Sequence, residues 1–160
     1  LRNPKLNCKD ITTKQQIPIS LQEAWDFLSS ADNLKVITPD HMGFHILTDN
    51  SNQKVYPGMI IQYTVSPVLN IPIRWVTEIT HVKDLQYFVD EQRVGPYRIW
   101  HHEHHLKQIE GGVEMTDIVT YQPPMGILGS LANILFIRKQ LKSIFEFREK
   151  KLIEPFGVMR

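Results

Sequence analysis

A chain of 160 residues and 18.7 kDa suits one domain, residues 1–160, with a core large enough to need no metal or disulfide staple. A formal charge of +1 and a pI near 8.1 give no field that would steer nucleic acid or anionic lipid, so no nucleic-acid partner is expected. Cys8 is the single cysteine, which excludes an internal disulfide and points to a reducing, cytoplasmic setting, and no apolar run is long enough for stable membrane insertion.

Residues 6–19 have the threonine, isoleucine and glutamine content of a strand. Ser20 and Glu23 then stand at capping-box spacing, so a short helix is predicted through Ala24, Trp25, Phe27 and Leu28. A second short helix is predicted from Ser30 through Ile37, ended by Pro39. Beyond Gly43 the pattern becomes extended. Residues 44–49, 59–66, 73–83, 86–94, 97–110 and 113–122 are rich in β-branched and aromatic side chains, and turn residues such as Pro57, Gly58, Gly95, Pro96, Gly111 and Gly112 separate them. Such short turns predict an antiparallel meander.

From Gly126 to about Ile153 no proline interrupts a helix-forming run, which predicts a helix of roughly 40 Å. Ile127, Leu131, Ile134, Leu141, Phe145 and Leu152 form its apolar seam, interrupted by Arg138 and Arg148. Arg148 is expected to snorkel to solvent, the alternative being an inward carboxylate such as Asp117. Residues 127–137 are apolar on nearly every side, which suits burial in the monomer, a homodimer contact or a ligand portal.

Four of the seven histidines fall within residues 101–105. On a strand, Trp100, His102, His104 and Leu106 share one face, while His101, Glu103 and His105 share the other, solvated one. The same alternation puts Phe88, Asp90 and Gln92 on one face of the preceding strand, and Met115, Asp117, Val119 and Tyr121 on one face of the following strand. If the hydrophobic members point inward, Asp90, Gln92, His102, His104 and Asp117 follow them. Buried carboxylates and imidazoles are costly unless paired, so a mutually satisfied polar patch is expected, with Tyr121 and Arg148 as further partners.

The segments Trp75 to Ile79, Phe88 to His104, Asp117 to Pro124 and Ile144 to Arg148 resemble the bacterial SRPBCC group of the START and birch-pollen-allergen superfamily. Some of that group are labelled polyketide cyclase/dehydrase-like, others cell-division inhibitors. The resemblance runs from Ile17 to Leu152 and is most specific from Phe88 to His104. It implies an α+β helix-grip fold: a seven-stranded, curved antiparallel sheet around a long C-terminal helix, with two short helices after the first strand. It also implies an internal pocket for a small apolar or amphipathic molecule, a lipid, isoprenoid or polyketide-like compound.

Three readings of the patch are open. In the first, Tyr63, Trp75, Phe88, Trp100 and the long helix grip a largely apolar ligand, while Asp90, Gln92, His102, His104, Asp117, Tyr121 and Arg148 meet its polar end. In the second, His102 or His104 with Asp90 or Asp117 performs acid–base chemistry, as a cofactor-independent cyclase or dehydratase would. In the third the polar groups only satisfy one another and fix strand register. No nucleophilic triad is legible and no cofactor is expected. His102 and His104 have a metal-like spacing, yet such spacing arises readily in a histidine-rich strand, so no metal is assigned. A monomer or homodimer is expected.

Overall fold

The structure, a computed structural model, describes residues 8–49, 53–66, 71–123 and 136–159. Its elements are β1 (Lys9–Ile17), α1 (Leu21–Leu28), α2 (Asn33–Val36), a 3-10 turn (Asp40–Met42), β2 (His45–Ile46), β3 (Ile60–Val65), β4 (Ile73–Lys83), β5 (Tyr87–Val94), β6 (Ile99–Ile109), β7 (Gly112–Gln122) and α3 (Arg138–Phe156). The strands form one antiparallel sheet in the order β1-β7-β6-β5-β4-β3-β2. It is a meander from β2 to β7, with β1 returning beside β7 to pair along that edge.

The predicted α+β architecture is therefore present, with local differences. The capping box forms as expected: Ser20 Oγ accepts from the Glu23 amide at 3.2 Å, and Glu23 accepts from the Ser20 amide at 2.9 Å. The strand predicted over residues 44–49 shrinks to His45–Ile46, a two-residue edge held only by β3. Phe44 instead turns inward against Tyr63, at 4.9 Å between ring centroids. The long helix ends at Phe156, beyond Ile153, and carries Pro155 in its last turn. The predicted start of that helix, and the apolar seam residues Ile127, Leu131 and Ile134, lie outside the described residues. So do residues 127–135 of the stretch read as a portal or interface.

Register irregularities bend the sheet. The pairing of β4 with β5 shifts between Val76 and Thr77 and again between Ile79 and His81, and each shift increases the local twist. One consequence is visible in burial. Trp75, Thr77 and Ile79 alternate into the interior, then the inward set slips by one residue to Val82, which packs against the main core. The concave face so produced is crossed by α3, while α1 closes one end through Trp25 against Phe88 and Phe27 against Phe156. Leu152 and Ile17 complete the core at that end, and Leu141 with Val119 and Tyr121 forms a separate cluster farther along α3.

Gly112 opens β7 where β1 passes closest. A Cβ there would lie 2.1 Å from the Ile17 carbonyl oxygen, a backbone atom that cannot swing away. Gly112→Ala should therefore destabilise the fold by about 1–3 kcal/mol through forced separation of β1 from β7, read as a lower urea midpoint at unchanged slope.

Candidate functional site

The sheet's inner face, α2 and α3 enclose a cavity of about 440 Å³. Most of its wall is apolar or aromatic: Ile61, Ile79, Leu141, Ile144, Tyr63, Trp75, Tyr97 and Trp100 all reach it. The space follows from geometry. A curved seven-stranded sheet is wider than a single helix of about 10 Å diameter, so one rod cannot fill it.

The polar residues are gathered at one place on the wall. His102 and His104 lie two residues apart on β6 and point the same way, with their rings 3.8 Å apart between centroids. Pairing of β6 with β5 sets Asp90 opposite His102, and pairing with β7 sets Asp117 opposite His104. Each imidazole thus stands between two carboxylates. His104 Nε2 is 2.9 Å from Asp90 Oδ2, and His102 Nε2 is 3.2 Å from Asp117 Oδ1. His102 Nδ1 lies 3.5 Å from Asp90 Oδ2. His104 Nδ1 lies 2.8 Å from Asp117 Oδ1, close enough for ionic attraction but off the alignment a hydrogen bond needs. From α3, Arg148 donates to Asp117 at 2.9 Å. Phe88 stacks on His104 at 4.2 Å and 19°.

Arg148 thereby departs from the snorkelling expected of it. It is 6% exposed, because its guanidinium pairs with Asp117 beneath α3 instead of reaching out to solvent. Burial alone would raise both carboxyls. The Arg148 charge and the contacts with both histidines instead hold Asp117 well below the usual carboxylate range, and His104 with His102 holds Asp90 below it. The histidines separate. Burial and its charged neighbour push His102 below the ordinary imidazole value, whereas the contacts of His104 with Asp117 and Asp90 outweigh its burial and raise it. These directions favour the proton on His104 over His102, an arrangement that sets two carboxylates against one guanidinium and one imidazolium.

Not every residue expected in the patch joins it. Gln92 turns away and braces the β5–β6 connection, donating to the Tyr97 carbonyl at 2.7 Å and accepting from the Tyr97 amide at 3.2 Å. It stays in register opposite the inward Thr77, and what withholds it from the patch is that both ends of its amide are engaged by the Tyr97 backbone. Tyr121 is buried behind the aromatic wall, against Tyr97 and Trp100, rather than at the cavity surface. Tyr63, Trp75, Phe88 and Trp100 do line the cavity, together with Asp90, His102, His104 and Arg148, whereas Asp117 does not reach it and opens instead on a groove between β1 and α3. On the outer face His101 meets Glu91 at 3.0 Å and His105 meets Glu103 at 2.8 Å, the solvated role expected of them.

Sequence reasoning did not select Thr77, whose hydroxyl lies 3.1 Å from that of Tyr63. Its place between Trp75 and Ile79 on the inward alternation of β4 was the available signal. Tyr97 was missed as well, and no periodicity marks it because it sits in a turn. Burial and the Asp90 charge keep the Tyr63 phenol above its ordinary value, and burial with the nearby Tyr121 does the same for Tyr97, so both remain neutral donors.

Two buried donors in this wall, Trp75 Nε1 and Arg148 Nε, meet no acceptor among the described residues. Leaving such a group unmet costs about 1–3 kcal/mol. Asp90, His102 and His104 also bring potential metal ligands within 4.8 Å of one another. The same atoms already meet one another through protons, with the Arg148 guanidinium beside them, so a cation would have to displace the shared proton.

No protein-family model matches the chain, and no curated protein matches it in sequence. Solved structures do match it in shape. The protein CV1439 from Chromobacterium violaceum superposes with a TM-score of 0.70 at 8% identity, covering 94% of this chain and 99% of that one. TTHA0849 from Thermus thermophilus gives 0.67 at 13% identity, over 92% and 99%. A START superfamily protein from Mycobacterium smegmatis gives 0.65 at 9% identity, over 92% and 96%. Among the described residues no helix is long and apolar enough to cross a membrane. At these identities the likeness is one of architecture, and it establishes that the chain has the helix-grip fold of the START superfamily.

Proposed function

We propose that the protein binds a small, mainly apolar or amphipathic molecule in its internal cavity, with the molecule's polar end at the Asp90, His102, His104 and Arg148 cluster. The observation that carries this reading is the pairing of a 440 Å³ aromatic and aliphatic hollow with one charge-balanced polar pole on its wall. A chain stabilising only itself has no need of such a volume, because an unfilled apolar space forfeits dispersion contacts on every side.

The test is native mass spectrometry of protein purified without denaturation, alongside Ile144→Trp. Ile144 lies on α3 and lines the cavity, so the indole has room to enter it. The wild type should retain a small molecule that denaturation releases. Ile144→Trp should retain at least tenfold less at an equal or higher melting temperature, because the added ring fills the space the ligand would take. Equal retention by the two proteins would refute the cavity as the binding place.

A second reading, proton transfer on the bound molecule, is favoured by one observation: two imidazoles stand side by side on the cavity wall, with burial pushing His102 down from the ordinary value and the carboxylate contacts pushing His104 up. His102 would then take the proton and His104 give one, as a cyclisation or dehydration requires. Turnover of the retained molecule, lost in His102→Asn with binding preserved, would support it.

A further inference from the structure

We infer that Asp90, His102 and His104 form a binding site for a divalent transition-metal ion of the zinc class, held by two imidazoles and one carboxylate, with Asp117 and Arg148 as its outer support. The spacing of the histidines assigns no metal by itself; the way the side chains face one another does. Each imidazole turns one nitrogen to Asp90 and the other to Asp117. His102 Nδ1 lies 3.5 Å and His104 Nε2 2.9 Å from the same atom, Asp90 Oδ2. Donor atoms of the three residues all fall within 4.8 Å of one another. Donors about 2.1 Å from one ion stand about 3.0 Å apart in an octahedral set and about 3.4 Å apart in a tetrahedral one, so both contacts to Asp90 are at ligand spacing.

The opposite nitrogens, His102 Nε2 and His104 Nδ1, converge on Asp117 Oδ1 at 3.2 Å and 2.8 Å, and Arg148 anchors that carboxylate at 2.9 Å. A metal-bound imidazole commonly gives its other N–H to a carboxylate, which fixes the tautomer and aims the free lone pair at the ion. Asp117 is placed to do this for both rings. Strand order is the cause: β6 runs between β5 and β7, which sets Asp90 opposite His102 on one side and Asp117 opposite His104 on the other. The two roles are also separated in space. Asp90, His102 and His104 line the cavity and Asp117 does not, so positions left open on the ion would face the hollow. Entry of the ion releases to water the proton that Asp90 and His104 share. Two imidazoles with one carboxylate suit zinc, iron(II) or cobalt(II) rather than magnesium or calcium, which prefer oxygen throughout.

The test uses the metal alone and so stands apart from retention of an apolar occupant. The whole chain, made without a histidine tag and stripped with chelator, is titrated with cobalt(II), read by its visible absorption, and then with zinc in competition. One equivalent of cobalt should bind, zinc should displace it, and excess magnesium should not. Asp90→Asn and His104→Asn should each weaken zinc by about a hundredfold or more, and Asp117→Asn by about ten- to a hundredfold with the cobalt spectrum keeping its shape, as loss of an outer partner does. His101→Ala combined with His105→Ala, which removes the imidazoles of the solvated face, should leave the affinity unchanged. In proton NMR the cobalt form of the wild type should show two shifted imidazole N–H resonances, one for each ligated ring. Lack of stoichiometric binding, full affinity in a folded inner variant, loss of binding in the outer-face variant, or a number of shifted N–H resonances other than two would overturn the inference, while Ile144→Trp continues to decide the cavity reading. Should the inner variants not fold, the wild-type stoichiometry and resonance count still decide.

Discussion

Replacing Arg148 with methionine is expected to destabilise the protein by about 3–5 kcal/mol, lowering the melting temperature by roughly 10 °C, although the new side chain is apolar and of similar length. The guanidinium is buried on α3 and 2.9 Å from Asp117, which is itself buried at 7% exposure. Removing the cation leaves that carboxylate facing two imidazoles, of which the structure favours charge on only one. The protein can recover part of the loss by protonating His102, so the deficit should shrink as the pH falls from about 8 to about 6. Neutralising the partner should help further. Arg148→Met combined with Asp117→Asn is expected to cost clearly less than the sum of the two single changes, because the second change removes the charge that the first left unpaired. Urea unfolding of the four proteins would measure this coupling, and additivity would show that Asp117 and Arg148 do not depend on each other.

The histidines should give the stability of the wild type a maximum near pH 6.5, falling on both sides. His104 has a folded value raised above the unfolded one near 6.5, so its contribution is complete below that pH and is lost as the pH rises through the folded value. His102 is lowered, so its contribution is present above pH 6.5 and is lost as the pH falls through its folded value. Each limb has a slope of at most about 1.4 kcal/mol per pH unit, the limit for one proton. Asp90 and Asp117, both held low, add stability present above pH about 4 and lost only at stronger acidity, outside this window. Denaturant midpoints between about pH 5 and 8 for wild type, His102→Asn and His104→Asn would resolve the limbs. His102→Asn should flatten the acidic limb and His104→Asn the alkaline one. A wild-type profile flat across the window would show that neither ring is perturbed.

The alternation of residue types along β5, β6 and β7 was enough to place Asp90, His102, His104 and Asp117 on inward faces, because side-chain direction in a strand repeats every two residues and hydrophobic neighbours mark the buried side. It failed for Gln92. Gln92 keeps its pairing opposite the inward Thr77, but a glutamine can satisfy itself on a nearby backbone as well as in a patch, and the turn that brings the Tyr97 amide and carbonyl to it is not marked by alternation. It also could not separate Tyr121 in the packed wall from Tyr63 at the cavity, since both are inward tyrosines and only the course of α3 distinguishes them.

What the linear pattern determined by itself was therefore the element order, the meander, the capping box at Ser20 and Glu23, and which side of β5, β6 and β7 is dry. These are local properties, dictated by periodicity and backbone chemistry within a few residues. Tertiary structure alone decided that Arg148 is buried against Asp117, that each histidine stands between two carboxylates, and that an aromatic hollow opens beside them. Those outcomes depend on how far a curved sheet stands from one helix, a distance created by residues far apart in the chain and encoded in none of them singly.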